Sequence, residues 1–249
     1  MANFASLWVG GPPTRLERLS VKSYLDHSHA FHLFLYDMSY KTMFPEGTIF
    51  HDAREIMPED SVFKDVTPIK SYAQYADIFR LNMFKKYSYV WVDLDNICLS
   101  DKWVDKEPFF ALMHKTALNN AVLYLDKNSE LLNYMLKRCE NFDYTKSIDA
   151  FELGPHLLTE AVSELKLQKN YSQRYTVYPI IYGQIDRIFL KSYSAICNSL
   201  TARAFSIHLW RTTLRDSGWL DRIPEERSFL YNLYNKHLGY SSQQDWQNL

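Results

Sequence analysis

The 249-residue chain has little glycine (7 residues), few cysteines (3) and no net charge to speak of, with 28 Lys and Arg against 29 Asp and Glu. Each scarcity excludes something. Three cysteines, Cys98, Cys139 and Cys197, stand far apart and outside any CxxC spacing, so neither a disulfide framework nor a structural zinc site is expected. A formal net charge of −1 gives no long-range field to gather phosphate backbones, which sets nucleic-acid binding aside. No apolar run approaches the 18 or so residues of a membrane span, and MANFASLWVGG lacks a charged start followed by a long apolar stretch. A cytoplasmic protein is expected, with peripheral contact at the inner face of the membrane left open. The scarce glycines contrast with 18 tyrosines, 15 phenylalanines and 6 tryptophans, rings that fill cores and also stack on sugars and bases.

What is present reads as an α/β pattern in one domain. Residues 6–9 form a strand ending in Gly10-Gly11-Pro12-Pro13, and Thr14 with Glu17 makes a capping box for the helix that follows. Residues 31–36 are a second strand and 47–51 a short third, with loop from 58 to 68. Ser71 and Gln74 form another capping box, opening a helix with Tyr72, Ala76, Phe79 and Met83 on one face and Lys85 and Lys86 at its end. Residues 89–92, aromatic and β-branched, are a buried strand. Further on come a strand at 121–125, a helix from Ser129 to about Asn141, and a helix over LLTEAVSEL with Pro155 placed for its first helical position. An extended edge segment is expected at 175–182, a last strand at 204–209, and a frayed tail from Ser241.

The chemistry concentrates in YVWVDLDNIC, where an apolar strand runs into Asp93 and Asp95. Two carboxylates one residue apart on extended chain point to opposite sides, so joint work on one cation requires a turn by Asp95, which Asn96 suits. A divalent cation would cancel their repulsion and leave positions for phosphate oxygens. Strand ends of this kind are where open α/β sheets bind ligands. Asp77 and Arg80 are i, i+3 neighbours on the preceding helix and can fold back to the same rim.

Asp77-Ile78-Phe79-Arg80 followed by Tyr89-Val90-Trp91-Val92-Asp93-Leu94-Asp95 resembles the D-x-x-R … Y-x-D-x-D core of the DXD-motif sugar transferases, the family of globotriaosylceramide synthases and initiating yeast mannosyltransferases. Leu7-Trp8-Val9-Gly10-Gly11 is similar to its first strand and nucleotide loop, Gly154-Pro155-His156-Leu157-Leu158-Thr159 to its G-P-x-L-L-T segment, and His208-Leu209-Trp210 to its late H-x-W. Family members usually carry Gly-Gly before the Y-x-D-x-D strand, where this chain has Lys86-Tyr87-Ser88.

The resemblance implies a GT-A nucleotide-sugar-binding fold, a Rossmann-like mixed sheet with flanking helices. Residues 1–100 or so would bind the nucleotide sugar, and 101–240 would hold the acceptor and complete the metal site. The implied activity is a metal-dependent, retaining transfer of a sugar from a nucleotide diphosphate sugar, UDP-sugar favoured, to a glycan or lipid-linked glycan acceptor. By the same resemblance Asp93, Asp95 and His208 hold Mn2+ (or Mg2+), with Asp93 bridging to the ribose. Asp77 and Arg80 would hold donor-sugar hydroxyls, and Trp8, Gly10, Gly154 and Trp210 would line the donor, with Trp219 either joining Trp210 or simply packing. Glu152 and Asp149 are the carboxylates nearest the reaction side, though retaining enzymes of this fold need no protein nucleophile. His27, His29 and His32 read as structural. Two alternatives remain: a haloacid-dehalogenase-like phosphohydrolase using the same aspartates, and a non-catalytic carbohydrate-binding module.

Overall fold

The computed structural model describes residues 1–59, 72–103, 107–142, 151–241 and 245–246. Strand β1 (Asn3–Trp8), helix α1 (Arg15–Asp26), β2 (Ala30–Leu35) and β3 (Ile49–Asp52) open the fold, followed by α2 (Tyr72–Lys86) and β4 (Val90–Val92). Then come β5 (Asn96–Cys98), β6 (Phe109–His114), β7 (Ala117–Tyr124), α3 (Glu130–Glu140) and α4 (Leu157–Glu164). The chain closes with α5 (Ser194–Thr201), β8 (Ser206–His208), α6 (Arg211–Asp216) and α7 (Phe229–Leu238). Six strands form one mixed sheet in the order β3-β2-β1-β4-β7-β6, and β5 pairs with β8 in a separate two-stranded ribbon. Parallel pairs join β3, β2, β1 and β4, while β7 and β6 run antiparallel.

The period-2 alternation of the strands feeds two cores, one on each face of the sheet. Phe4, Val90 and Val92 face the side covered by α1 and α7, whereas Ala5, Leu7 and Trp91 face the side covered by α2, α3 and α4. Thr14 caps α1 as the sequence requires: its hydroxyl accepts from Leu16 N–H at 3.2 Å, and Glu17 returns a carboxylate to Thr14 N–H at 2.7 Å. Ser129 caps α3 through Leu132 N–H at 3.2 Å. The second expected box has Ser71 outside the described residues.

Several expectations change. The 175–182 segment is no edge strand. A 3-10 turn (Arg174–Thr176) leads into buried Val177, Tyr178 and Ile180, and a 3-10 helix (Tyr182–Phe189) follows. Its carbonyls are taken singly, Thr176 by Phe205 N–H and Ile180 by the Trp210 indole, rather than by a ladder. Strands β5 and β6 were not expected, because three buried residues after a turn, or a run broken by bulges, carry no readable period. Pro155 lies within a π-helical turn (Glu152–His156) ahead of α4 rather than at its first position. Within the tail expected to fray, Trp246 is buried among Tyr234 and Tyr240, with ring centroids at 5.0 and 5.3 Å. Just before β4, Tyr87 and Tyr89 stack on each other at 4.9 Å.

At the opposite end of the sheet from Asp93, His32 is buried against Tyr89 at 4.0 Å. Its Nε2 donates to Asn3 Oδ1 at 3.3 Å, which leaves Nδ1 to accept from His51 Nε2 at 2.9 Å. Burial first, and the neighbouring His51 second, push the His32 imidazolium down to about 4. Between roughly pH 6.5, where an unfolded histidine titrates, and about 4, the unfolded chain binds a proton that the folded chain refuses. Stability is therefore complete above that window and lost as pH falls through it. Urea unfolding at pH 7 and pH 5 should show a lower midpoint at pH 5, and His32→Phe should flatten that difference.

Candidate active site

Three carboxylates and the Arg80 guanidinium meet beyond the C-terminal end of β4, with the Arg211 backbone N–H beside them. Because Trp91 and Asp93 are two residues apart, both face α2. Trp91 Nε1 donates to Asp93 Oδ1 at 2.7 Å, and Arg80 Nη2 approaches the same oxygen at 3.2 Å. The chain then turns, with Asn96 N–H donating to Asp93 O at 2.9 Å, and this carries Asp95 to the other side. There Asp95 Oδ1 contacts His208 Nε2 at 3.0 Å and Oδ2 accepts from Arg211 N–H at 2.8 Å. The β5–β8 ribbon makes this encounter possible, since it pairs Asn96 with His208. The required turn is thus present, and it sends the two aspartates to separate partners.

One ligand atom each from Asp93, Asp95 and His208 lie within 4.8 Å of one another. The group could hold a metal ion, its two carboxylates and one imidazole being oxygen and nitrogen donors of the kind divalent cations take. His208 Nδ1 is buried without a hydrogen-bond partner among the described residues, so one ring nitrogen has capacity that the protein does not use. Burial pulls Asp95 up and His208 down, yet their mutual charge reverses both: Asp95 sits below the usual carboxylate range and His208 above the usual imidazole range.

Asp77 and Arg80 form a buried pair at 3.0 Å, both less than a tenth exposed. Asn120 Nδ2 donates to Asp77 Oδ1 at 2.8 Å, and Arg80 donates to Asn120 O and, through Nε, to Ala76 O at 3.2 Å. The guanidinium also covers the Trp91 ring at 4.8 Å. Burial, opposed by Arg80 and Asn120, pushes the Asp77 carboxyl up to about 6. Arg80 is thereby engaged with Asp77, Asp93 and two carbonyls, and it orients the carboxylates.

Gly154 completes this network. A Cβ on it would lie 2.4 Å from Asp77 Oδ2 and 2.7 Å from Asp77 Cγ, so only glycine lets the π-helical turn close against α2. Trp210 adopts φ 54°, ψ 54°, a left-handed conformation uncommon for so large a residue, and its ring lies 4.2 Å from that of His208. It is buried, and Nε1 donates to Ile180 O at 3.0 Å, so Trp210 packs beneath the histidine.

The remaining expected residues are placed less centrally. Trp8 ends β1 half-buried and bonds Gly11 O at 2.9 Å, closing the loop that Gly10 (φ 124°) begins. Glu152 is exposed at the start of the π-helical turn, and Asp149 lies outside the described residues. Trp219 packs on Phe189 at 5.4 Å, with Arg222 over its face. His27 and His29 bond to the Ser23 and Ser100 carbonyls and, like His32, stand apart from the carboxylates. Two residues went unread in the sequence. Asn120 lies inside an ordinary strand, and Arg211 follows the H-x-W segment with no motif of its own. Glu17 was legible only as a cap, yet its Oε1 also accepts from Arg211 Nε at 3.0 Å.

No protein-family model matches the chain, and no curated protein does. Among solved structures the chain is similar to the PaToxG glycosyltransferase, with 16% identity, a TM-score of 0.51 and an alignment covering 97% of this chain and 87% of that one. The likeness concerns the fold, a GT-A-like mixed sheet flanked by helices.

Replacing Gly154 with Ala should displace Asp77, because backbone on one side and a buried ion pair on the other leave no slack. Overpacking of this kind costs about 1–3 kcal/mol. Denaturant unfolding checks the loss, and Gly154→Ala combined with Asp77→Ala should recover part of it by removing the clash.

Proposed function

We propose that the chain is a metal-dependent, retaining glycosyltransferase that takes a sugar from a nucleotide diphosphate donor, UDP-sugar favoured, and passes it to a glycan or lipid-linked glycan. The observation that carries this reading is the convergence of Asp93, Asp95 and His208 at the C-terminal end of β4. A cation bound there would act as a Lewis acid on the leaving diphosphate, whose negative charge grows as the glycosidic bond breaks.

The chain's own residues hold the parts in place. Asp93 and Asp95 supply the oxygen ligands and His208 the nitrogen, and Trp210 beneath the ring fixes its plane. Metal ligation requires neutral imidazole, and Asp95 favours the protonated form, so metal affinity rises with pH. Asp77, held at the rim by Arg80 and Asn120, is the carboxylate that would accept hydroxyls of the donor sugar. Trp8 and Gly10, at the end of the neighbouring parallel strand, would border the nucleotide. Glu152 is exposed beside Gly154, and same-face chemistry would need no protein nucleophile. No described helix is long and apolar enough to cross a membrane. Phosphohydrolase chemistry on the same pair would need Asp95 free to move a proton, and both of its oxygens are engaged.

Thermal unfolding with uridine diphosphate and manganese, singly and together, tests the reading. At a hundred times its dissociation constant a ligand adds about 2.7 kcal/mol of stability. The shift should require metal and nucleotide together, vanish in Asp95→Ala, and be larger than with guanosine diphosphate. No shift with either nucleotide would sink the proposal.

A further inference from the structure

Two arginines touch the aspartates, Arg80 through its side chain and Arg211 through its backbone, and their side-chain donors are spent very differently. Arg80 is buried and gives its nitrogens to Asp77, Asp93 and the Ala76 and Asn120 carbonyls. Arg211 is about a third exposed (36%) and uses only Nε, at 3.0 Å from Glu17 Oε1. Its two terminal nitrogens have no partner among the described residues. An arginine has five N–H donors, so four of them remain unused here.

The unused edge is held in place from behind. Glu17 is fully buried, and its second oxygen accepts from Thr14 N–H at 2.7 Å and Thr14 Oγ1 at 2.6 Å, so it cannot follow Arg211 outward. The Arg211 backbone is held too, by its N–H on Asp95 Oδ2 at 2.8 Å. One residue thus touches a metal-ligand candidate with its backbone and anchors its guanidinium on Glu17 in the first turn of α1, the helix that follows the Gly10–Pro13 loop. The Arg211 guanidinium meets one carboxylate, Glu17, through Nε alone, and an incoming diphosphate carries more charge than one divalent ion neutralises. The planar fork matches phosphate oxygens bidentately.

We infer that Arg211, oriented by Glu17, is a binding residue for the diphosphate of the donor, gripping it through its two terminal nitrogens while the metal holds it from the other side. The inference rests on the glycosyltransferase reading and adds to it a phosphate contact contributed by α1 and α6 rather than by the strand end.

Calorimetric titration of the full chain with manganese alone, and then with inorganic pyrophosphate in the presence of manganese, tests it. Arg211→Gln should keep manganese affinity within about twofold, since the Asp95 contact is made by backbone, and should weaken pyrophosphate at least tenfold, about 1.4 kcal/mol. Glu17→Gln should weaken pyrophosphate by less, and Arg211→Lys should restore part of the loss. If Arg211→Gln fails to fold because it strands buried Glu17, the Glu17→Gln/Arg211→Gln pair removes both charges and is measured instead. Pyrophosphate binding equal to wild type in these variants overturns the role of Arg211 alone, as does equal loss of manganese and pyrophosphate. A wild-type protein that does not bind pyrophosphate with manganese overturns that role together with the reading beneath it.

Discussion

Like charges one residue apart at a strand end are the constraint around which the rest of this molecule is arranged. Two carboxylates at that spacing repel, and burying either one without compensation would cost several kcal/mol. The fold resolves the conflict by separation. Asp93 stays on the face set by Trp91 and is neutralised by Arg80 from α2, while the turn at Asn96 delivers Asp95 to His208 and the Arg211 backbone. The β5–β8 ribbon, though only three residues long on each strand, exists at the point where the second carboxylate needs a partner from a distant stretch of sequence. Among the described residues no single group answers both carboxylates at once, and a divalent cation would.

The Asp77 network obeys the same economy. A carboxyl whose titration is pushed up to about 6 by burial is tolerable because Arg80 and Asn120 surround one oxygen and Gly154 makes room for the other. Cation, amide and missing side chain come from a helix, a strand and a π-helical turn, so the rim is a junction of three elements.

How much of this was legible in the sequence depended on whether the signal was local. The capping box at Thr14 and Glu17, the alternation through β4 and the cap at Ser129 are short-range patterns with a single physical reading, and the corresponding elements formed. Asp77, Arg80, Asp93, Asp95 and His208 stood out because their type and order resemble a known arrangement, and the fold brings Asp77, Arg80 and Asp93 into one cluster and Asp93, Asp95 and His208 into another. Trp210 was legible as a position but not as a role, since left-handed backbone and a partner at Ile180 leave no trace in composition. Asn120, Arg211 and the irregular path from Val177 to Ile180 depend on contacts between segments tens of residues apart. Periodicity carries no information about those.

The left-handed Trp210 has a consequence for how this chain can change. Such a conformation costs of order 1–3 kcal/mol in a non-glycine residue. Here it is kept by an indole bonded to Ile180 and a ring laid against His208. Glycine or asparagine at this position would relax the backbone while removing the platform under the histidine. Emptying a site filled by a buried tryptophan costs about 3–5 kcal/mol, more than the relaxed backbone returns, so the contacts that steady His208 are the same ones that hold the strained backbone in place.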